Sequence, residues 1–81
     1  MSIQWKQRKV GDYWPKTIHV HTLSNGDEIT IERSEGRGWT QANITFPGKL
    51  RSLQWPRSAS TVRDAKKRVE ELVEYLHEVV A

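Results

Sequence analysis

Asn25-Gly26, set between two stretches of alternating apolar and polar residues, limits what this chain can fold into more than any other feature. Asn and Gly both tolerate positive φ, which a two-residue type I′ turn demands at both central positions. Before the pair, Thr17 to Leu23 alternates with Ile18, Val20 and Thr22 on one side. After it, Glu28 to Arg33 alternates with Ile29 and Ile31 on one side. A two-residue turn sets Thr22 opposite Ile29 and Val20 opposite Ile31, so the apolar residues share a face. A slip of one residue would separate them, because strand side chains alternate with period two. His19, His21, Leu23, Thr30 and Glu32 then fall on the other face.

A helix is the expected cover for the apolar face. Val62, Ala65, Val69, Leu72, Val73, Leu76 and Val80 recur at spacings of three and four, which stripes one side of a helix, with His77 at its border. Thr61 and Asp64 resemble a capping box, with Ser58 or Ser60 as alternative caps. From Thr61 to Val80 such a helix is about 30 Å long, enough to cross a small sheet. Trp39 to Phe46 alternates as well. Ala42, Ile44 and Phe46 are expected inward; Trp39, Gln41, Asn43 and Thr45 outward. Pro47-Gly48 suits a type II turn or a bulged longer loop. A two-residue turn would return a fourth strand with Ala42 opposite Leu53 and Ile44 opposite Arg51. Leu53 and Trp55 would face the core, and Leu50, Ser52 and Gln54 would face out. Residues 1–16 read as a basic aromatic arm or a short extra strand, with Trp14 packing ahead of Pro15. The expected fold is α+β. A four-stranded antiparallel sheet of two consecutive hairpins carries one long C-terminal helix on one face, and residues 17–81 form a single ββββα domain.

Composition narrows the function classes. A chain of 81 residues buries only about 60% of its unfolded surface, so its core is thin. The absence of cysteine excludes disulfides and thiolate metal sites. Residues 1–16 are polar and basic and do not read as a secretory signal. Nothing approaches the roughly 20 apolar residues of a membrane span, so a cytoplasmic location is expected. No Gly-rich phosphate loop, nucleophile elbow, cysteine nucleophile or carboxylate cluster is present, and no enzyme is expected. His19 and His21 share a strand face with Glu32 across from His19, yet a third ligand is missing. No metal or other cofactor is expected.

Charge supplies the positive argument. Arg37, Lys49, Arg51, Arg57, Arg63, Lys66, Lys67 and Arg68 stand against Asp64 alone, a balance of +7 in a chain of net charge +3. Glu70, Glu71, Glu74 and Glu78 follow. The helix is therefore charged against its dipole, which favours acids first and bases last. Placement of cations at its start suggests a use for them. Trp39, Gln41 and Asn43 are interleaved with these bases. Flat aromatics, amides and cations together suit phosphate contact, base stacking and base-edge hydrogen bonds. DNA or RNA is the expected partner. Arg37, Lys49, Arg51, Arg57, Arg63, Lys66 and Lys67 would meet phosphates, Trp39 would stack, and Gln41 and Asn43 would contact bases or sugars. Trp5, Lys6, Arg8 and Lys9 are candidate arm contacts. Exposed Trp and Arg also anchor protein interfaces. One alternative is thus a small phage-type accessory protein that blocks or modulates a protein complex. Another is a structural homodimer through Val79, Val80 and the sheet edges.

From Gly38 onward the chain resembles the sheet-plus-helix DNA-binding domains of the AP2 and integrase N-terminal type. The resemblance rests on Gly38-Trp39, Ala42, Ile44, the Pro47-Gly48 turn, and Thr61 with Asp64-Ala65. It covers about half the chain. Ala42 and Ile44 lie one residue farther from Trp39 than in that pattern, and Pro56 to Ser60 lengthens the approach to the helix. The resemblance implies a sheet that enters the major groove, with Arg37, Trp39 and Arg51 as contacts.

Overall fold

The computed structural model describes residues 3–13 and 16–80, with side chains as far as Leu76. Trp14 and the side chains of His77, Val79 and Val80, which carried expectations above, lie outside the described set. The strands are β1 (Lys6–Val10), β2 (Lys16–Thr22), β3 (Glu28–Gly36), β4 (Trp39–Thr45) and β5 (Ser58–Ala59), and one helix follows, α1 (Val62–Val80). The strands are antiparallel neighbours in chain order. The fold class is α+β, as expected.

The Asn25-Gly26 loop sets the register, and it is one residue longer than a type I′ turn. The Leu23 amide donates to the Asp27 carbonyl at 2.7 Å, and the Gly26 amide to the Leu23 carbonyl at 3.0 Å. Ser24, Asn25 and Gly26 therefore close the hairpin. Gly26, at φ +93°, takes the left-handed position of a turn-plus-bulge connection. Asn25 Oδ1 accepts from the Asp27 amide at 3.0 Å, an Asx turn that favours this geometry. Thr22 consequently sits opposite Glu28, His21 opposite Ile29 and His19 opposite Ile31. The expected pairing is off by one, and every side chain of β2 changes face. His19, His21 and Leu23 join Ile29 and Ile31 beneath the helix. Ile18, Val20 and Thr22 join Thr30 and Glu32 on the open face.

Of the two readings of residues 1–16, the short extra strand is the one that residues 6–10 form, paired along β2. One further expectation is corrected. The anticipated strand through residues 50–55 does not form. Gly48, at φ +51°, turns the chain as foreseen, but Gly48–Ser52 then winds into a 3-10 helix. Leu50 and Leu53 both pack on the core. Residues three apart share a side in a 3-10 helix and point to opposite faces in a strand. Ala42 pairs with Ala59 of β5 instead of Leu53.

The core is one layer thick. Ile29, Ile31, Ala42, Ile44 and Phe46 of the sheet side meet Ala65, Val69 and Leu72 of α1. Thr61 Oγ1 accepts the Asp64 amide at 3.1 Å and starts the helix. A tryptophan stands at each flank of α1. The Trp5 indole N–H reaches a Glu70 carboxylate oxygen at 3.4 Å, and Lys66 Nζ lies 5.8 Å from its ring. The Trp55 N–H donates to the Arg68 carbonyl at 3.0 Å, and its ring is 6.1 Å from Tyr75. At 3.6 residues per turn, positions 66 and 70 lie opposite positions 68 and 75. Because α1 packs chiefly on β3, β4 and β5, the helix side of β2 is filled by His19, His21 and Trp5. The Trp5 and His21 rings are 5.9 Å apart.

Val20 is nearly fully buried yet lies outside the helix-side cluster. Register explains this. Arg8 on β1 makes a two-point ion pair with Glu28 on β3, at 2.7 and 3.1 Å. Those strands flank β2, so the pair crosses the open face over it. Lys6 and Thr30 sit beside Val20 on the neighbouring strands.

Candidate functional site

The two ends of the sheet differ in what they present. At one end lie the β1–β2 connection, the two-residue Arg37-Gly38 turn between β3 and β4, and the start of α1. Thr40 Oγ1, which reaches the Ser60 carbonyl at 3.4 Å, ties the helix start to that end. At the other end lie the Ser24–Gly26 loop and the 3-10 helix. β4 is seven residues long, which puts the ends about 23 Å apart at 3.3 Å per residue.

The first end carries the candidate site. Trp39, the first residue of β4, is 52% exposed on the open face. Its indole occupies the space beside Gly36, where a Cβ would stand only 2.5 Å from Cε2 and Nε1. Gly36 is directly opposite Trp39, so absence of a side chain there is what lets the indole fold back over β3. Along the same face, Gln41 Nε2 donates to Asn43 Oδ1 at 3.1 Å. Asn43 Nδ2 donates to Ser34 Oγ at 2.9 Å. These amides are held in place and retain open donors and acceptors for a ligand. Gly38, at φ +73°, closes the turn that presents exposed Arg37 beside Trp39. Lys16, opposite Ser34 by register, forms a 3.2 Å ion pair with Glu32. Tyr13 is 92% exposed in the neighbouring connection. Trp39, Gln41, Asn43 and Thr45 thus occupy the face expected of them, as do Thr30 and Glu32.

The mid-chain cations do not gather there. Arg37 is at the Trp39 end, whereas Lys49 and Arg51 lie in the 3-10 helix at the far end. Arg57 is tied into the fold. It bonds the carbonyls of Arg51 and Leu53 and sits 5.7 Å over the Phe46 ring. Arg63, at the start of α1, shares the Trp39 end but lies in the other layer, and Lys67 is exposed farther along α1. Lys66 leans on Trp5, and Arg68 reaches Glu71 at 3.5 Å. The expectation of a single +7 surface is not met. Cations interleaved along β4, a loop and a helix are turned to different sides by the periods of those elements. Of the arm contacts, Trp5 is half-buried against the core, and Arg8 is engaged with Glu28. Lys6 and Lys9 are exposed on β1.

Sequence reading missed Tyr13, Lys16, Ser34 and Gly36. Gly36 was legible: Gly-Arg-Gly-Trp is a turn with glycine directly before and after Arg37, and pairing across it sets Gly36 against Trp39. Lys16 and Ser34 depended on the register of β2 and β3, which the longer loop changes.

Electrostatics at the remaining titratable groups are local. The Arg8 hydrogen bond holds the Glu28 carboxyl below its ordinary value, and Glu28 raises Arg8 in return. Burial, with Lys66 as the second cause, lowers His19; burial alone lowers His21. His19 Nδ1 is buried without a hydrogen-bond partner. His19 also lines an open cleft of about 500 Å³ with Lys16, Thr17, Arg33, Glu35 and Val62. Its cations are already matched, Lys16 by Glu32 and Arg33 by Glu35 at 3.4 Å. Among the described residues, no three metal-ligating side chains converge, and no helix is long and apolar enough to cross a membrane. Compared with protein families, curated proteins and solved structures, the chain has no significant match.

Proposed function

We propose that this protein is a small, non-catalytic nucleic-acid-binding domain whose contact surface is the Trp39 end of the open sheet face. The observation that carries this reading is the placement of Trp39. A half-exposed indole is seated over Gly36, beside a hydrogen-bonded amide row and next to a free guanidinium, on the face the helix leaves bare. Stacking on an aromatic side chain contributes about 1–3 kcal/mol per base and tolerates any base. Gln41, Asn43 and Ser34 offer hydrogen bonds to base edges or sugars, and Arg37 offers a phosphate contact. Tyr13 supplies a second flat surface at the same end. The resemblance to AP2-type domains points the same sheet face at DNA, although Arg51 lies at the wrong end to take part.

Few unpaired cations surround Trp39, so the salt dependence should be modest. With two or three phosphate contacts, log affinity against log salt should fall with a slope of about −2, at 0.7–0.9 per contact. Anisotropy titrations with single- and double-stranded oligonucleotides across a salt series test this. Trp39→Ala should weaken binding by about 5- to 150-fold, the equivalent of 1–3 kcal/mol. Arg37→Ala should reduce the slope by about one contact. A flat salt response, or full affinity in Trp39→Ala, overturns the proposal.

A further inference from the structure

We propose that the outer edge of β1 accepts an acidic, extended peptide segment as an additional antiparallel strand. The reasoning is independent of the nucleic-acid reading, because the Trp39 surface and the β1 edge lie on different strands.

Sheet order leaves β1 at one margin, with no strand beyond it among the described residues. All five of its residues are exposed. The other margin is poorly suited to pairing, since β5 has only two residues and follows Pro56. An unpaired edge is a template for another strand. β1 is also held in place for that role. Trp5, just before it, packs on the core and bonds Glu70 of α1. Pairing with β2 runs along its whole length. A template already ordered before binding loses less conformational freedom on binding.

Charge selects the occupant. Lys6, Arg8 and Lys9 make β1 basic on both faces, and it has no acid. A second copy of this edge is disfavoured. Full antiparallel overlap sets Arg8 against Arg8. Shifts of one residue set Lys6 against Lys9, or Arg8 against Lys9. Shifts of two set Lys6 against Arg8, or Lys9 against Lys9. Like charges directly opposite are destabilising, and opposite charges stabilise. Lys on an edge blunts self-association and at the same time complements a strand bearing Glu or Asp. Arg8 is turned toward Glu28 across β2, and Lys6 also acts on Glu28 through space without a bond to it. Lys6 and Lys9, one per face, are the charges left to meet a partner strand.

The test uses the full chain and three capped seven-residue peptides. One alternates Thr and Glu, one alternates Thr and Lys, and one repeats the first with N-methyl groups along both edges. Amide chemical shifts and hydrogen exchange report binding site by site. The Thr-Glu peptide should protect outward amides of residues 6–10. It should bind about tenfold tighter than the Thr-Lys peptide, as a few cross-strand charge pairs of changed sign imply. N-methylation should abolish binding. The Lys6→Glu/Lys9→Glu double variant should reverse the preference between the charged peptides. Unperturbed β1 amides at millimolar peptide would overturn the proposal. So would equal binding of the N-methylated peptide, or perturbations centred on Trp39. Oligonucleotide binding by the same double variant separates the two readings, since contacts at Trp39 should persist.

Discussion

Trp5 and Trp55 on the helix side and Trp39 on the open side show how one residue type serves two ends. Each of the first two has its indole N–H engaged by α1, through Glu70 and the Arg68 carbonyl, and both pack on the core cluster. Trp39 is half exposed, and among the described residues its N–H makes no hydrogen bond to any group of the fold. It rests on a glycine rather than on the core. A large aromatic usually contributes through burial. One left out of the core, but seated in a fixed position, contributes little to folding and is available to a ligand. Under the proposed function, the two sides of the sheet separate stability from recognition.

The widest gap should come from truncating each tryptophan. Trp5→Ala and Trp55→Ala should each lower unfolding free energy by about 2–3 kcal/mol, somewhat below fully buried cases because both rings are only partly covered. Trp39→Ala should stay within about 0.5 kcal/mol of the parent, as surface changes do. Urea denaturation measures all three. A comparable loss in Trp39→Ala would erase the distinction and make Trp39 a structural residue.

Gly36→Ala sharpens the comparison from the other side. The added methyl must displace the indole, since it would stand 2.5 Å from two ring atoms. Nucleic-acid affinity should drop toward that of Trp39→Ala, up to about 3 kcal/mol. Stability should change by less than about 1 kcal/mol, because the displaced group is an exposed side chain. Unchanged binding with a moved indole, seen by fluorescence, would show that its position over β3 is irrelevant.

Much of this layout was legible. The α1 stripe, the Thr61 cap and the alternation of β4 are local patterns, and each places its side chains without knowing its neighbours. The face of β2 was not legible in the same way. Apolar pairing favoured a two-residue turn, but Asn25 and Gly26 also suit a three-residue turn-plus-bulge. The Asx bond to Asp27 then decides the register. Burial of Val20 on the open face depends on Arg8 reaching across to Glu28, a contact between strands distant in sequence. The dispersal of the basic stretch has the same origin. Charge density along a chain becomes a surface only if consecutive elements turn it the same way.

A smaller effect is expected at the helix start. Thr61→Ala removes the acceptor for the Asp64 amide and should cost about 1 kcal/mol, with no change in oligonucleotide affinity. A matching loss of affinity would tie the helix start to recognition and blur the division between the two sides.

The gentlest effect separates the sides by pH. His19 and His21 lie on the helix side, and both have pKa values below the ordinary 6.5 because burial disfavours the imidazolium; Lys66 adds to this at His19. Well above pH 6.5 both are neutral, folded or unfolded, and contribute no pH dependence. Below 6.5 the unfolded chain takes up protons that the folded chain resists. Stability should therefore fall as pH drops below 6.5, and level off once pH passes the lowered folded values. Glu28 acts later. Its folded pKa is lowered from 4.5, so its contribution is present above 4.5 and is lost as pH falls through the folded value. Among the described residues, the interval between roughly pH 6.5 and 5 thus reports His19 and His21 alone of the shifted groups. Denaturant midpoints across that interval should slope downward toward acid in the parent and flatten in His19→Gln/His21→Gln. Trp39→Ala should retain the parent slope, because no shifted group lies beside it on the open face. A slope that survives the double histidine change would place the proton-linked loss elsewhere in the fold.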